Sequence, residues 1–514
     1  MTRVVGETGG NLAGIVDGHD PAAVAVISRN QRVTYGELTD AVARGRGALH
    51  RLGIGEGDRV AIVCSNGVPF LVGYLALLGL GAVAVPLNPE SPAAELQRQL
   101  GAVGAKAAVV DRSASSWRQL DRAAVPALQL VVAAAGAELG SAGQTQVRWS
   151  ELREAEPHPA IDVTADHLAV LMFTSGTAGA PRAAMLTHGN LLANLEQLAK
   201  SAERAAPGDV VYGVVPLYHI FGLNVAAGMS LRGGATLLLV QRFDPATAIE
   251  SIAAQGVTIV PAPPSLWVAL SRFAEHHDVP ADAFAGVRLA YSGAAKLPLA
   301  TSEQLEARFG LVVAEGYGLT EASPVVTSSV GLPVRRGSVG AVLDGVELRI
   351  VDAAGDGERD ALVGDAGELW VRGPNVFAGY ADDAEATARV LTHDGWLRTG
   401  DLGYCDDDGY VYLVDRAKDL IIVSGFNVSP AEVEEVLARA PGVADVGVVG
   451  VPHPHTGEEV RAFVVAEAGA VLDEESLIDF ARDHLARYKC PSRVLVVDEL
   501  PRNASGKLVR RQLA

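Results

Sequence analysis

Short apolar runs recur along the chain, and between them apolar positions fall three and four residues apart on otherwise polar stretches. Thr34-Tyr35-Gly36-Glu37 has the form of a capping box, in which the threonine hydroxyl accepts from the glutamate amide and the glutamate reaches back. It predicts a helix carrying Leu38, Val42 and Leu49 on one face and closing near Gly53. The apolar run Arg59-Val60-Ala61-Ile62-Val63 follows as a strand, and the same rhythm predicts strands at 107–110, 235–240, 257–260 and 287–291. Apolar strands separated by helices are the pattern of parallel α/β sheets buried on both faces. The uncharged stretch from 70 to 87 is nearly long enough to cross a bilayer. Gly79 and Gly81 interrupt it, and its second half, Ala-Val-Ala-Val-Pro-Leu, has the look of a buried strand, so the expectation is helix, turn and strand with no membrane span.

Beyond Gly337 the texture changes to short strands with Gly and Asp turns, at 346–352, 368–372 and 409–414, which predicts a more antiparallel subdomain. Asp406-Asp407-Asp408 before Gly409 is a turn rather than a metal site. Ser429-Pro430-Ala431-Glu432 is a second capping box with proline at the first helical position. With strands at 446–451, 460–465 and 494–497 and a helix at 474–487, the last hundred residues form a small α+β domain. The expected fold class is therefore α/β: a large N-terminal domain of parallel sheets with a small β subdomain, residues 1–415, then a small mobile α+β domain, residues 416–514.

Composition narrows the classes. Of 514 residues, 49% are hydrophobic and 20% charged, a globular balance that excludes disorder. A net charge of −19 argues against nucleic acid or an anionic membrane surface as partner. The three cysteines are scattered and form neither a disulfide framework nor a CxxC metal site, which fits a reducing cytoplasm. The N-terminus shows no secretory signal.

Five stretches carry chemistry. Thr174-Ser175-Gly176-Thr177-Ala178-Gly179-Ala180-Pro181-Arg182 follows an apolar run and sets hydroxyls, glycines and a cation on one turn, a combination able to wrap phosphate oxygens. It is not a Walker loop, because GxxxxGK[S/T] does not fit. Glu315-Gly316-Tyr317-Gly318-Leu319-Thr320-Glu321 offers an aromatic face, close backbone approach, and a hydroxyl and carboxylate for a divalent ion. Trp396-Leu397-Arg398-Thr399-Gly400-Asp401 ends in a carboxylate suited to ribose hydroxyls. Asp415-Arg416-Ala417-Lys418-Asp419 falls at the expected domain joint, and Pro501-Arg502-Asn503-Ala504-Ser505-Gly506-Lys507 puts a lysine on a loop near the C-terminus.

Together these resemble the adenylate-forming superfamily of acyl-CoA synthetases, luciferases and adenylation domains, in the family's order and over essentially the whole chain. Through residues 415–430 (DRAKDLIIVSGFNVSP) the resemblance is nearest to bacterial fatty acyl-CoA synthetases. It implies that Thr174, Ser175, Gly176, Thr177, Gly179 and Arg182 hold the β- and γ-phosphates of ATP. By the same resemblance Ser292, Gly293, Ala294 and Ala295, with Glu315, Gly316, Tyr317 and Gly318, line the adenine and acyl pockets. Thr320 and Glu321 match the phosphate and Mg²⁺ positions, and Asp401 and Arg416 the ribose contacts. Lys418 matches the hinge, and Lys507 the lysine bridging α-phosphate and carboxylate. Ser424, Gly425, Phe426 and Asn427 match a loop facing the pantetheine arm of CoA.

Three departures stand in the phosphate loop: Ala178 replaces a hydroxyl residue, Arg182 a lysine and Ala183 a glycine. Arg182 keeps the cation but not its shape, and a β-carbon at Ala183 matters if the backbone there is left-handed. His219, in Pro216-Leu217-Tyr218-His219-Ile220-Phe221-Gly222, matches a family motif beside the acyl pocket; on its own residues it is equally a core histidine. Tyr212, Phe221, Trp267 and Tyr291 are pocket walls or ordinary core. Amino-acid-activating relatives carry an aspartate near the His219 motif, and none occurs between Val210 and Leu239, which points to a simple carboxylic acid.

The expected function is ATP-dependent activation of a small-molecule carboxylic acid, a fatty acid by resemblance, as acyl-AMP and its transfer to CoA. The rival readings are an acyl-AMP ligase loading a carrier-protein thiol and a nucleotide-binding regulator that has lost turnover. Neither acyl length nor oligomeric state is legible in these residues.

Overall fold

The structure, a computed structural model, describes residues 10–29, 31–134, 137, 145–174, 182–201, 204–352, 359–416, 421–423, 426–453, 457–485, 489–503 and 508–513. By backbone packing the chain divides into two compact units, one of Met1–Glu347 and Arg372–Leu397, the other of Leu348–Val371 and Arg398–Ala514.

Among the described residues, the first unit holds two large sheets. A seven-stranded sheet runs Thr145–Arg148, Leu130–Ala133, Ala107–Val110, Arg59–Val63, Val83–Pro86, Leu168–Thr174, Arg182–Thr187. Its ladders are parallel except the last, where Leu168–Thr174 and Arg182–Thr187 run antiparallel. The strands at 83–86 and 107–110 are buried at every position, so they carry unbroken apolar runs instead of alternation. The membrane-like stretch forms the helix Val68–Gly79, a turn at Gly81 with φ +66°, and the strand Val83–Pro86. Every side chain of that helix from Phe70 onward is buried in protein, and no described helix is long and apolar enough to cross a membrane. A nine-stranded sheet runs Ala341–Val342, Val325–Ser328, Val313–Gly318, Leu289–Ser292, Ile259–Ala262, Val210–Gly213, Thr236–Leu239, Val24–Ser28, Gln31–Thr34. Its central ladders are parallel, and Tyr212 and Trp267 lie in the core beside it.

The capping box of the first helix, Tyr35–Arg51, forms as expected: the Glu37 amide donates to Thr34 Oγ1 at 3.2 Å and the Thr34 amide to Glu37 Oε2 at 2.8 Å. In the second unit a four-stranded sheet (Glu347–Val351, Gly367–Arg372, Leu397–Cys405, Val411–Arg416) is followed by a five-stranded one on which helices Pro430–Leu437 and Glu474–His484 pack. The chain is thus mixed α/β, with a large N-terminal part built on parallel sheets and a small C-terminal α+β part. Asp406 Oδ1 accepts from the amides of Asp408 and Tyr410, so the acidic run is a turn. The helix at 430 departs from expectation in one half of its cap. Ser429 Oγ accepts from the Glu432 amide at 3.3 Å, but the Glu432 carboxylate is taken by Lys489 Nζ at 2.6 and 2.7 Å, a stronger partner than a neutral amide.

His188, wholly buried at the start of the helix His188–Lys200, accepts the Leu12 amide on Nδ1 at 2.9 Å. Burial, and after it the neighbouring His167, lowers its pKa from 6.5 to about 4. Between those values the unfolded chain takes up a proton on this ring that the folded chain refuses, so stability falls as pH drops. His188→Gln removes this contribution; between pH 7 and 5 the wild type should lose about 2 kcal/mol more than the variant. Equal pH dependence of their unfolding curves would contradict the assignment.

Candidate active site

The strand Leu168–Thr174 ends where the hydroxyl- and glycine-rich loop begins. Ser175, Gly176, Thr177 and Gly179 lie outside the described residues, but the loop's two ends are fixed by the pairing of Thr174 with Arg182. Arg182 Nε donates to Asp383 Oδ2 at 3.0 Å, and its guanidinium carbon lies 5.7 Å from the centre of the Tyr380 ring. Asp383 caps the helix Ala384–Val390, its Oδ1 accepting the Ala386 amide at 2.9 Å. That bond first, and Arg182 after it, hold the Asp383 carboxyl below the ordinary carboxylate range. Ala183 lies in the strand Arg182–Thr187 opposite Phe173, in extended backbone, so its β-carbon meets no left-handed conformation.

Tyr380 connects this end of the loop to the second motif. Its hydroxyl donates to Glu321 Oε1 at 2.7 Å. Burial, and then the Glu321 carboxylate, push the Tyr380 hydroxyl far above its ordinary pKa, so it remains a donor. Glu321 sits with Thr320 in the short turn Thr320–Ala322, just past the carboxyl end of the strand Val313–Gly318. The turn needs glycine at 318, because a β-carbon there would fall 2.2 Å from the Pro324 carbonyl oxygen. At Gly316 a β-carbon would lie 3.0 Å from the Thr327 carbonyl oxygen, and Tyr317 between them is buried. Glu315 Oε2 accepts the Leu297 amide at 3.2 Å, and burial lifts its carboxyl above the ordinary range.

Ser292 ends the parallel strand Leu289–Ser292, the edge at which α/β sheets bind ligands. Its buried hydroxyl finds no partner among the described residues. After it the chain turns through Ala294 at φ +74°, leaving Ala294 and Ala295 exposed. A β-carbon on Gly293 would touch the Phe221 ring at 3.5 Å, and that ring lies 6.0 Å from Tyr291. His219 is half-buried just before the π-helical segment Phe221–Gly228, and its Nδ1 accepts the Phe221 amide at 3.2 Å. The proton of the neutral ring therefore sits on Nε2. Wide helical turns of this kind concentrate at functional sites.

In the second unit Asp401 is 7% exposed and pairs with Arg416 across the Leu397–Cys405 and Val411–Arg416 strands. Glu368 Oε1 accepts the Gly400 amide at 3.0 Å, and Thr399 Oγ1 accepts the Asp401 amide at 3.1 Å. The Arg416 side chain and all of Lys418, Ser424, Gly425 and Lys507 lie outside the described residues; of Phe426 and Asn427 the strand Phe426–Val428 gives the backbone alone.

The structure thus brings Arg182, beside Thr174, to Glu321 through Tyr380 within one unit. It sets Asp401 beside the Arg416 backbone in the other. Sequence reasoning missed Tyr380, Asp383 and Glu368. Asp383 before Ala-Glu-Ala had a legible signal as a helix cap; the other two act over long separations. Among the described residues no three His, Cys, Asp or Glu side chains form a metal cage. Glu321 spends one oxygen on Tyr380; its other oxygen and the Thr320 hydroxyl are ligands of the kind that would suit a Mg²⁺ ion.

The family model for the AMP-binding enzyme matches residues 17–381, and that for the AMP-binding enzyme C-terminal domain matches 432–507. The chain belongs to the AMP-binding enzyme family. It is 38% identical over 503 residues, 96% of each chain, to 3-[(3aS,4S,7aS)-7a-methyl-1,5-dioxo-octahydro-1H-inden-4-yl]propanoyl:CoA ligase of Mycobacterium tuberculosis. It is 34% identical to 4-coumarate--CoA ligase 2 of Oryza sativa subsp. japonica, over 96% of this chain and 89% of that one. ATP-bound MatB from Rhodopseudomonas palustris superposes with a TM-score of 0.88 at 32% identity, covering 98% of both chains.

Replacing Tyr380 by Phe leaves one Glu321 oxygen without its donor. A hydrogen bond to a charged group contributes about 1.5–3 kcal/mol, so Tyr380→Phe should lower stability by no more than about that amount and, by freeing the Glu321 carboxylate, weaken Mg²⁺-ATP binding ~10-fold. Unchanged affinity by titration calorimetry would remove Tyr380 from the site.

Proposed function

We propose that this chain is an ATP-dependent acid–CoA ligase that works through an acyl-adenylate. The observation carrying this reading is the convergence of Arg182, Tyr380 and Glu321 at the base of the Thr174 loop. The CoA-ligase names of the two relatives support the acceptor. In the first step an oxygen of the substrate carboxylate attacks the α-phosphorus of ATP, the bond to the bridging oxygen breaks, and pyrophosphate leaves. Little covalent chemistry falls to the protein, so positioned donors and charge suffice in place of a nucleophilic triad. The loop at 174–182 and Arg182 hold the β- and γ-phosphates, Asp401 and Arg416 hold the ribose, and Lys507 meets the α-phosphate and the carboxylate. Glu321 and Thr320 would hold Mg²⁺, which when bound neutralises phosphate charge. In the second step the CoA thiol, losing its proton, attacks the acyl carbon and AMP departs, with residues 424–427 facing the pantetheine arm. A joint at 415/416 pivoting on Lys418 lets Lys507 serve the first step and withdraw for the second.

The acid we propose is apolar apart from its carboxylate. From His219 to Gly228 the chain carries no Asp, Glu, Lys or Arg, and the Phe221 and Tyr291 rings adjoin Gly293. A fatty acid, the expectation from residues 415–430, is one member of this class; the relatives act on a hydroxycinnamic acid and a fused-ring propanoic acid. A panel of a medium-chain fatty acid, 4-coumarate, a fused-ring propanoic acid and a dicarboxylate, scored for pyrophosphate with and without CoA, tests this. Release with apolar acids and thioester with CoA is the expected outcome. Preference for 4-coumarate over the fatty acid would overturn the fatty-acid assignment, and no release with any acid would overturn the function.

Lys507→Ala should lower adenylation ~10²–10³-fold, the usual cost of a charge contact made mainly in the transition state. Thioester formation from supplied acyl-AMP should be spared; an equal fall in both half-reactions would contradict the assigned role. Lys418→Pro fixes φ and removes a backbone donor at the proposed pivot, so it should impair the two half-reactions unequally. Wild-type rates in both would leave the small domain without a required rotation.

A further inference from the structure

The turn that carries Thr320 and Glu321 is a single 3-10 turn running into the strand Val325–Ser328, and each backbone carbonyl from Thr320 to Val325 has a donor. The Ser323 amide donates to Thr320, the Phe377 amide to Glu321 and the Leu319 amide to Pro324. The other three are met by buried asparagine side chains from distant segments. Asn375 Nδ2 donates to the Ala322 carbonyl at 2.8 Å, Asn224 Nδ2 to Ser323 at 2.8 Å, and Asn194 Nδ2 to Val325 at 2.9 Å. Asn194 Oδ1 also accepts the Val325 amide at 3.2 Å. These asparagines are 0%, 1% and 0% exposed for 375, 224 and 194. Gln197, itself buried, joins two of them, accepting from Asn194 at 3.0 Å and donating to Asn375 Oδ1 at 3.5 Å. Ser323 within the turn has φ +69°, a left-handed conformation uncommon for a residue with a β-carbon. Such a conformation persists only where its surroundings over-determine it, and such sites gather at functional centres.

We infer that Asn375, Asn224 and Asn194 are positioning residues for the Glu321 carboxylate, and that Asn224 also ties this turn to the acyl-pocket helix. Asn224 lies inside the segment Phe221–Gly228, three residues past Phe221. Its one amide group donates both to Ser323 in the turn and, at 3.2 Å, to the Leu191 carbonyl of the helix His188–Lys200. A displacement of the π-helical segment by an acid against Phe221 therefore pulls on the bond that fixes the turn after Glu321. Asn375 lies outside the π-helical segment: among the described residues its bonds go to the turn and to Gln197 of the helix His188–Lys200. The two residues consequently have different kinetic signatures, and neither touches the reacting atoms.

This inference rests on the adenylating function proposed above, and the test separates the two. Asn375→Ala and Asn224→Ala in the full chain are assayed for pyrophosphate release with ATP, Mg²⁺ and the preferred acid, and separately for thioester formation from supplied acyl-AMP and CoA. Misplacing a charge-bearing group by about an ångström costs up to ~10²-fold. Both variants should lose ~10–100-fold in the first assay and less than about 3-fold in the second. Asn375→Ala should lower kcat alone, whereas Asn224→Ala should also raise KM for the acid. In a Glu321→Gln background the further cost of Asn375→Ala should shrink to less than about 3-fold, because the group it positions is gone. Equal losses in the two half-reactions, or full additivity with Glu321→Gln, would overturn the inference in an enzyme that still works. A wild type that releases no pyrophosphate with any acid would overturn the function, and this inference with it. If alanine at 375 prevents folding, Asn375→Ser, which keeps a short polar side chain, replaces it in the same assays.

Discussion

A backbone that leaves a strand and doubles back within a few residues, in a dry interior, has no ladder to satisfy its carbonyls. Each unpaired one would cost on the order of 1–3 kcal/mol. That constraint organises the site from Gly318 onward. Glycine at 318 admits the reversal, since its absent β-carbon would meet the Pro324 carbonyl. The asparagines at 194, 224 and 375 then meet the carbonyls that the turn itself cannot. What emerges is a carboxylate whose backbone has little freedom, with one oxygen already engaged by Tyr380. Reaction by in-line displacement at phosphorus asks for that kind of fixed environment more than for reactive side chains.

The acidity of the chain makes the arrangement of cations more telling. A net charge of −19 repels a nucleotide polyphosphate at long range, so attraction must come from groups fixed at the site. Neutral donors also count. Backbone amides and hydroxyls on a glycine-bearing loop contribute directed partial charge without adding to the formal total.

Much of the fold was legible because it depends on local pattern. The capping box at Thr34, the strand Arg59–Val63 and the acidic turn before Gly409 follow from neighbours a few residues apart, and the structure has each of them. The uncharged stretch at 70–87 was legible as helix and strand because glycine broke its periodicity. Asparagines 194, 224 and 375 were not legible as part of the site. Their targets lie 131, 99 and 53 residues away, and a buried asparagine carries no local mark of which carbonyl it will meet. Tyr380 escaped for the same reason, being 59 residues from Glu321. The cap at Ser429 was half legible. Its hydroxyl behaves as the local pattern requires, but Lys489, 57 residues on, takes the carboxylate that the pattern assigned to a backbone amide.

Arg182, the departure from the family's lysine, illustrates how local chemistry and distant partners combine. A lysine offers one nitrogen, and a lysine bound to Asp383 would present most of its charge to that carboxylate. Arginine divides the work among three. Its Nε donates to Asp383, which is itself held by the cap of the helix Ala384–Val390. Its guanidinium carbon lies over the Tyr380 ring. The two terminal nitrogens make no hydrogen bond to a described residue, so the guanidinium is anchored at one edge and keeps a forked donor pair at the other. A fork of that shape matches two oxygens of one phosphate. The substitution therefore exchanges a flexible point charge for an oriented one, and the orientation is supplied by Asp383 and Tyr380. The same Tyr380 holds Glu321, so the cation at the end of the loop and the carboxylate in the turn share one aromatic side chain, and neither can shift without straining the contact of the other.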